Sequence, residues 1–284
     1  ASMVIFAGVF IGSGYWWMVV VIAGFSFFWN ASLPQFEAVT LNHLGSQVAR
    51  YSSIRVWGSV GFIVTVALLG SQLEQWGIEL VPMVLMLLMV GIWFSSLAVP
   101  AVPDPDHDHP PLSLKSVLSR PLVVALLFVA FLNQAAHGTY YTYYTLYMET
   151  FGHDKGMIGM IWALSVGAEV AVFMVMARWL PRFGERKLLL ASLLLAVIRW
   201  LVTARYAASL ELMFLIQMLH AASFGVIHAV SIHIIHDQFR GKLQGRGQAL
   251  YSSISFGVGG VVGSLLGGLV WTSVGASAIF LFSA

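Results

Sequence analysis

Long apolar segments follow one another along almost the whole of this sequence, and they constrain its fold more than any other feature. A helix of about 20 mostly apolar residues is enough to cross the ~30 Å hydrocarbon core of a bilayer. Charged residues make up 9% of the chain, against about 25% in typical soluble domains. The segments are also longer than the ~10-residue alternating strands of a membrane barrel. They therefore predict an all-α, polytopic membrane helical bundle.

The apolar segments set the expected number of membrane crossings. In chain order they cover 1–12, 15–42, 54–73, 80–99, 121–149, 157–180, 187–206, 210–236 and 248–273, and another starts at 276. Pro34 is expected to interrupt the second segment, because proline removes a backbone hydrogen bond inside a helix. Since the sequence begins and ends inside apolar runs, we expect a fragment with about nine full transmembrane helices and partial ones at its ends.

Residues 100–120 form the longest polar stretch and contain five prolines and three aspartates. Because proline disfavours helix, we expect a loop here between a first group of segments, 1–99, and a second group, 121–284. His107 and His109 within it could suggest a metal site, but a solvated loop explains the same residues without one. We therefore expect neither a metal nor a cofactor.

Lysine and arginine are distributed unevenly between the two sets of alternate loops. One set holds two cations, Lys155 and Arg205, and the other set holds eleven: Arg50, Arg55, Lys115, Arg120, Arg178, Arg182, Arg186, Lys187, Arg240, Lys242 and Arg246. Cations favour the cytoplasmic side, so the second set and the 100–120 loop are expected to face the cytoplasm of an inner (plasma) membrane. The net charge of +2 gives no electrostatic footprint for nucleic acid.

Three ionisable residues lie near the middle of consecutive segments, where a charge costs ~2.5 kcal/mol or more. At 1.5 Å per residue, Glu169 and Arg199 lie roughly 18 Å from the start of their helices, and His220 roughly 15 Å from the start of its own. At one depth, an acid, a base and an imidazole could form a coupled buried network. The alternative is a static ion pair between Glu169 and Arg199. Buried pairs stabilise little compared with apolar packing, which favours a functional role.

Other positions are candidates to line a cavity. Glu37 and Arg55 lie in the cytoplasmic third of their helices, where a snorkelling or solvated charge is cheap, so a structural role is equally open. His137 and Tyr140 lie in "HGTYYTYYTLY" and are too deep for the interfacial aromatic belt that explains Tyr147. A small-residue ladder further along favours close helix packing and consists of Gly259, Gly263 and Gly267.

One loop resembles a signature of the major facilitator superfamily. "ARWLPRFGERK" is similar to the "GxxxDRxGRR" loop of that superfamily: Arg182, Gly184, Arg186 and Lys187 match, and Pro181 stands where an aspartate is usual. The phrases "RVWGSVGF", "AEV", "IRW" and "ALYSS" resemble the branch of the 3-phenylpropionate permeases and lactose permease, which are proton symporters. The resemblance covers most of the chain. It implies that 1–99 holds helices three to six, and 121–284 helices seven to eleven with the start of twelve.

The buried charges resemble the same branch. Glu37 and Arg55 match in spacing the acid and arginine that face the bound sugar in lactose permease, and Glu169, Arg199 and His220 fall on its acid, arginine and histidine. The resemblance therefore assigns proton coupling to Glu169, Arg199, His220 and Glu37.

The sequence departs from lactose permease at three of its functional positions. Gln217 and Ser223 stand where that family member has a lysine and its proton-carrying glutamate, and Phe62 stands where a tryptophan stacks on the sugar. Glu169 is then the first candidate to carry the proton, and Glu37 the second. Because Phe62 stands in place of the tryptophan that stacks on the sugar, a disaccharide substrate is also disfavoured.

Together these features predict a secondary active transporter that takes up a small organic solute with protons, by alternating access about a midplane site. In this hypothesis Arg199 balances Glu169 until a proton binds the acid. The family resemblance, rather than the residues themselves, favours an aromatic carboxylate such as 3-phenylpropionate as the substrate. The substrate site is expected to consist of Glu37, Arg55, Phe62, His137, Tyr140 and Arg199.

Several alternatives to this prediction stay open. A sugar or nucleoside proton symporter, or a drug or solute exporter, would share the fold. A receptor or scaffold without transport is disfavoured by the ionisable residues in matching places. A membrane enzyme is disfavoured because no nucleophile–base spacing or metal-ligand cluster is present in the sequence. The expected partners are a small-molecule substrate, protons and the lipid bilayer, and the protein is expected to act as a monomer, as is usual in the superfamily.

Overall fold

The computed structural model describes residues 1–44, 51–100, 113–239 and 243–284. Within these ranges the backbone forms helices and short connections, and it contains no strand. The prediction of an all-α fold is therefore confirmed. Most of the 100–120 loop, with His107 and His109, lies outside the described residues, as do Arg50, Arg240 and Lys242.

The chain divides into two compact units, Ala1–Tyr51 with Leu68–His107, and Ser52–Ala67 with Asp108–Ala284. The first unit contains α1 (Ser2–Phe6), a 3₁₀ turn, α2 (Tyr15–Leu44) and α4 (Leu80–Leu97), while α3 (Tyr51–Trp76) is shared between the units. Trp17 Nε1 donates a hydrogen bond to Gly8 O at 2.8 Å, which connects the start of α2 to the turn after α1.

The helices of the second unit hold most of the buried side chains among the described residues. They are α5 (Leu114–Leu118), α6 (Pro121–Glu149), α7 (Lys155–Phe183), α8 (Glu185–Tyr206), α9 (Leu210–Gln217), α10 (Ile227–Gln238), α11 (Gln244–Ser252), α12 (Gly260–Ser273) and α13 (Ala278–Ser283). Two π-helical segments interrupt this series, at Ala221–Val226 before α10 and at Ser253–Gly259 before α12.

Six helical spans among the described residues are long and apolar enough to cross a membrane. They are Leu80–Leu97, Pro121–Glu149, Lys155–Phe183, Glu185–Tyr206, Leu210–Gln238 and Gln244–Ser273. Two shorter apolar helical stretches occur at Tyr15–Asn30 and Val56–Val66. The structure thus agrees with a multi-pass membrane bundle, while the expected number of about nine full helices stays a prediction.

Two expectations that were based on proline differ from the structure. The helix α2 continues through Pro34, although an interruption was expected there. Proline is tolerated in membrane helices because neighbouring groups satisfy the backbone carbonyl that it leaves free. In the predicted loop, Leu114–Leu118 forms the short helix α5, which the proline-free end of that stretch permits.

The small-residue ladder packs α12 closely against α6. A Cβ atom on Gly263 would overlap the carbonyl group of Ala135, and a Cβ atom on Gly138 would overlap the backbone of Gly260. Thr139 Oγ1 donates to Gly263 O at 2.8 Å across this contact. Because hydrogen at these positions lets the two backbones approach, the predicted close packing is present.

Buried polar residues in the second unit lie between two apolar clusters. On α6, Leu126 belongs to one cluster and Tyr144 to the other, with His137 between them. The same order holds on α7, where Ile161 and Met176 flank Glu169, and along Leu210–Gln238. Four ionisable residues lie between the two clusters, and we call them the polar layer: His137, Glu169, Arg199 and His220.

Candidate functional site

The helices that carry the polar layer have well-defined starts. Asp154 caps α7, where its Oδ1 accepts a hydrogen bond from Met157 N at 2.8 Å, and this satisfies one of the free N–H groups of the first turn. Between α7 and α8, Gly184 has a φ of 76°, a left-handed conformation that glycine adopts without strain. This turn reverses the chain, so that Glu169 and Arg199 return to the same level from opposite directions.

Arg199 is fully buried and bonds to neutral groups. Its Nε donates to Gln217 Oε1 at 2.9 Å, and its Nη1 donates to Ser223 Oγ at 3.0 Å. The guanidinium carbon lies 4.3 Å from the ring centre of Tyr140 and 4.2 Å from that of Trp200. Such cation–π contacts stabilise most strongly where water is excluded. Two neighbouring rings therefore contact the charge in this conformation.

His137 connects to Arg199, and its two bonds define its tautomer. Arg199 Nη1 lies 3.3 Å from His137 Nε2, and His137 Nδ1 lies 2.8 Å from Asn133 O. A guanidinium can only donate and a carbonyl can only accept. Hence Nε2 accepts, Nδ1 carries the proton, and His137 is neutral. The Nε2 acceptor of His137 is therefore already bonded to Arg199, and the His137 side chain is 0% exposed.

Glu169 pairs with His220 across α7 and the span that follows α8. Glu169 Oε2 lies 3.5 Å from His220 Nε2, and the two side chains are 12% and 3% exposed. Phe224 stacks on the His220 ring at 5.2 Å between ring centres, with an angle of 7° between the planes. Phe224 lies in the π-helical segment that begins directly after His220, and such segments are frequent at functional sites.

The structure brings together the three charges that sequence placed at one depth, with a different pairing. The expected partner of Glu169 was Arg199, whereas an ion contact that the described residues show for Glu169 is with His220. The rings of His137 and His220 lie 5.5 Å apart, so the polar layer is continuous from Glu169 through two imidazoles to Arg199. Helix rotation, which hydropathy does not report, decides which pairs of side chains meet.

Several buried polar atoms in and beside the polar layer have no hydrogen-bond partner among the described residues. These atoms are Arg199 Nη2, His220 Nδ1 and the hydroxyls of Tyr140 and Tyr144. Buried polar groups are nearly always paired, so unpaired donors concentrated in one place indicate a position where a ligand or water binds. Arg199 Nη2 is a donor, whereas His220 Nδ1 donates or accepts according to its protonation.

Two aromatic residues that the sequence analysis left out of the site border the polar layer. The Tyr141 ring lies 5.8 Å from the His137 ring and 6.4 Å from the His220 ring, and it stacks on Trp162 at 5.9 Å. Tyr141 is 45% exposed. Helical spacing offered a signal for both residues, because Tyr141 is four residues after His137 and Trp162 is seven before Glu169, spacings that share a helix face.

The other predicted site residues contribute less to this arrangement. His137 and Tyr140 are both fully buried, and Phe62 is 43% exposed on α3. The side chains of Glu37 and Arg55 lie outside the described part of the structure, so their predicted roles stay predictions.

Among the described residues, one group of side chains offers metal-ligand chemistry, at the ends of α8 and α10. Glu185, His233 and Asp237 place ligand atoms within 4.8 Å of one another. His233 Nε2 lies 3.4 Å from Glu185 Oε1 and 3.7 Å from Asp237 Oδ2. All three are partly exposed, and their contacts are those of a surface ion-pair network, which itself stabilises little.

Comparison with known proteins identifies the family. The model of the MFS_1 like family matches residues 1–282. The chain is 26% identical over 263 residues to the "Probable 3-phenylpropionic acid transporter" of Escherichia coli (strain K12), covering 91% of this chain and 69% of the relative. It is 24% identical over 286 positions to the "Maltose permease" of Geobacillus stearothermophilus, covering 96% and 69%.

A third relative is an uncharacterized transporter of Bacillus subtilis (strain 168), 19% identical over 269 residues, with 93% of this chain and 66% of the relative covered. The chain thus spans about two thirds of the length of each of these relatives. The match over nearly the whole sequence and the apolar helical spans agree. The chain belongs to the MFS_1 like family and is a multi-pass membrane transporter of the major facilitator superfamily.

Proposed function

We propose that this protein is a secondary active transporter that takes up an aromatic carboxylate, of which 3-phenylpropionate is the model, together with a proton. The observation that carries this proposal is the buried Glu169–His220 pair, with a 3.5 Å contact inside membrane-spanning helices. Ionisable residues at such depth are expensive and mark proton or substrate pathways. The name of the Escherichia coli relative supports the choice of substrate.

Proton coupling follows from the hydrogen-bond chemistry of this pair. With Glu169 ionised and His220 neutral, His220 Nε2 carries the proton that faces the carboxylate, and Nδ1 is an acceptor. One added proton changes this, whether it resides on Glu169 or on the imidazole. If the proton resides on Glu169, His220 Nε2 accepts a hydrogen bond from the protonated acid, and the imidazole hydrogen is then on Nδ1. If it resides on the imidazole, both ring nitrogens carry a hydrogen. In either case Nδ1 becomes a donor.

This change makes proton binding and carboxylate binding favour each other. His220 Nδ1 has no partner among the described residues, so as a donor it is free to bind a substrate oxygen. The added proton also removes the net negative charge of the pair, which would otherwise repel an anionic substrate. Because Nδ1 is buried in this conformation, the binding step requires a movement that uncovers it.

Arg199 has a supporting role in this proposal. Arg199 is 0% exposed, and its Nε and Nη1 atoms already bond to Gln217 and Ser223. Its Nη2 donor, which has no partner among the described residues, can therefore meet a substrate only after a movement that uncovers it. Its positive charge balances Glu169 across the polar layer and holds His137 in a neutral tautomer. We propose Glu169 and His220 as the proton-coupling residues, and Glu37 and Arg55 as further candidates for the substrate site.

A sugar substrate is the second candidate, and the name of the Geobacillus stearothermophilus relative favours it. An acid beside exposed rings also suits hydroxyl groups and the apolar face of a sugar. The two candidates separate in a panel that compares 3-phenylpropionate, maltose and a nucleoside in the same uptake assay. An exporter of the same fold would show the opposite dependence on the direction of the pH gradient.

The test of proton coupling is uptake into proteoliposomes with an imposed pH gradient. We expect wild-type protein to accumulate labelled 3-phenylpropionate when the outside is acidic. Glu169→Gln keeps the size of the side chain but cannot cycle a proton, so accumulation should fall at least tenfold, while exchange of internal for external substrate without a gradient is retained. Glu211→Gln, on the first turn of α9, is the control. Full accumulation by Glu169→Gln contradicts the assignment.

We further propose the arrangement that the sequence predicts around this site. The proposal includes helical bundles at 1–99 and 121–284, about nine full membrane helices, and a cytoplasmic 100–120 loop in an inner membrane. The uneven distribution of cations between alternate loops supports this orientation. The protein is proposed to act as a monomer.

A further inference from the structure

Three aromatic rings extend from the buried charge of Arg199 to the surface of the second unit. The guanidinium covers one face of Tyr140 at 4.3 Å, and Trp162 packs on Tyr140 with ring centres 4.5 Å apart. Tyr141 then lies 5.9 Å from Trp162, with 28° between the ring planes. We call these residues the ring cluster (Tyr140, Trp162 and Tyr141).

The members of the ring cluster differ in their access to the surface. Tyr140 is fully buried, while Tyr141 is 45% exposed and Trp162 is partly buried. The inner ring is fixed by Arg199 and by Trp200, whose ring centre is 5.5 Å away. The outer ring is therefore supported from behind and open in front, which is the geometry of a preformed stacking surface.

This open ring adjoins the proton-coupling pair rather than a purely apolar face of the bundle. The Tyr141 ring lies 6.4 Å from that of His220, and Phe224, also partly exposed, stacks on His220 from another side. A molecule resting on Tyr141 therefore has the His220 imidazole and the Glu169 carboxyl group beside it. Three partly or well exposed side chains here are aromatic, namely Tyr141, Trp162 and Phe224.

We propose that Tyr141 and Trp162 form the binding site for the aromatic ring of the substrate. This inference rests on the proposed function and adds to it the residues that select a flat ring over other apolar groups. Aromatic rings attract each other in offset or edge-on arrangements beyond the effect of buried area. A ring joined to a carboxylate by a short chain fits this arrangement, because its ring can rest on Tyr141 while its carboxylate meets the His220 Nδ1 donor after the movement that uncovers that atom.

Equilibrium binding to the purified chain tests this site separately from transport. The probes are labelled 3-phenylpropionate and its competitor 3-cyclohexylpropionate, which has the same carboxylate and chain but no π system. We expect the wild-type protein to prefer the phenyl compound roughly tenfold. Tyr141→Leu should reduce this preference to near unity, and Tyr141→Phe should retain it. Tyr206→Leu, an exposed tyrosine at the end of α8, is the matched control.

The outcomes separate the ring site from the transport proposal. Equal phenyl preference in Tyr141→Leu and in Tyr206→Leu overturns the ring site, as does the absence of 3-phenylpropionate binding to wild-type protein. Trp162→Leu provides a second variant if Tyr141→Leu does not fold, and it should also lose the preference. Ring-selective binding without uptake driven by a pH gradient would instead contradict proton coupling and leave the ring site supported.

Discussion

At the scale of single residues, Arg199 shows how neutral groups and aromatic rings can hold a charge inside the bundle. Arginine presents several donors in a planar fork and two flat faces, so it can bond to neutral oxygens and stack on rings at once. Arg199 combines hydrogen bonds to Gln217, Ser223 and His137 with cation–π contacts to two rings, those of Tyr140 and Trp200. Lysine cannot reproduce this set of contacts.

Arg199→Lys is therefore expected to destabilise the protein although the charge is retained. The change leaves at least one buried acceptor unpaired and weakens the cation–π contacts with Tyr140 and Trp200, with a cost of about 2–4 kcal/mol. Thermal unfolding in detergent should show a clearly lower midpoint. Arg205→Lys, in the exposed last turn of the same helix, should leave the midpoint unchanged. Equal stability of both variants would show that the buried contacts of Arg199 contribute little.

At the scale of elements, the tight contact between α6 and α12 depends on positions without side chains. Gly263 and Gly138 allow the two backbones to approach, and Thr139 bonds to Gly263 O across the contact. This contact holds α6 in place along the length that includes His137 and Tyr141. The polar layer and the ring cluster thus depend on packing at residues that make no contact with a substrate.

Gly263→Ala tests this dependence. Its methyl group would overlap the Ala135 carbonyl, and the displacement should destabilise the protein by about 1–3 kcal/mol. Gly260→Ala is the control, because a Cβ atom at Gly260 meets nothing within 4 Å and alanine favours helix. The two variants are compared by thermal unfolding. A Gly263→Ala variant as stable as Gly260→Ala would contradict the close packing.

The sequence predicted the helices better than the contacts between them. Apolar length alone predicted 157–180 and 187–206, close to the observed Lys155–Phe183 and Glu185–Tyr206. The rise per residue placed Glu169, Arg199 and His220 at one level. Rotation about each helix axis determines partners, and helices that are apolar on most sides carry little signal for it. This is why the pairing of Glu169 with His220 and the position of Tyr141 emerged from the structure.

At the scale of the whole molecule, the distribution of cations predicts which connections face the cytoplasm. The connections after α6 and α8, taken with the helix ends beside them, hold one Lys or Arg each. The connections that hold more of them include the region before α6 and the turn after α7. Asymmetry of this kind sets the orientation of membrane helices during insertion. The orientation bears directly on the proposed direction of proton-driven uptake.

Single cysteines test this orientation, because the chain contains none of its own. Lys155→Cys, at an exposed position at the start of α7, should react with a membrane-impermeant maleimide added to intact cells. Ser119→Cys, an exposed residue before α6, should react after the cells are permeabilised. Labelling in the reverse order would invert the proposed topology.

The Glu169–His220 pair also has an electrical consequence for the transport cycle. The pair gains one proton per turnover in the proposed mechanism, and a monocarboxylate brings one negative charge. In this mechanism the positive charge of Arg199 is taken to stay within the bonded set that the structure shows. The loaded carrier then moves no net charge across the bilayer, so the membrane voltage neither drives nor opposes the loaded step. Accumulation would be limited by the pH difference alone, so a cell could no longer concentrate this solute once the two sides reached the same pH, however strongly its membrane remained polarised.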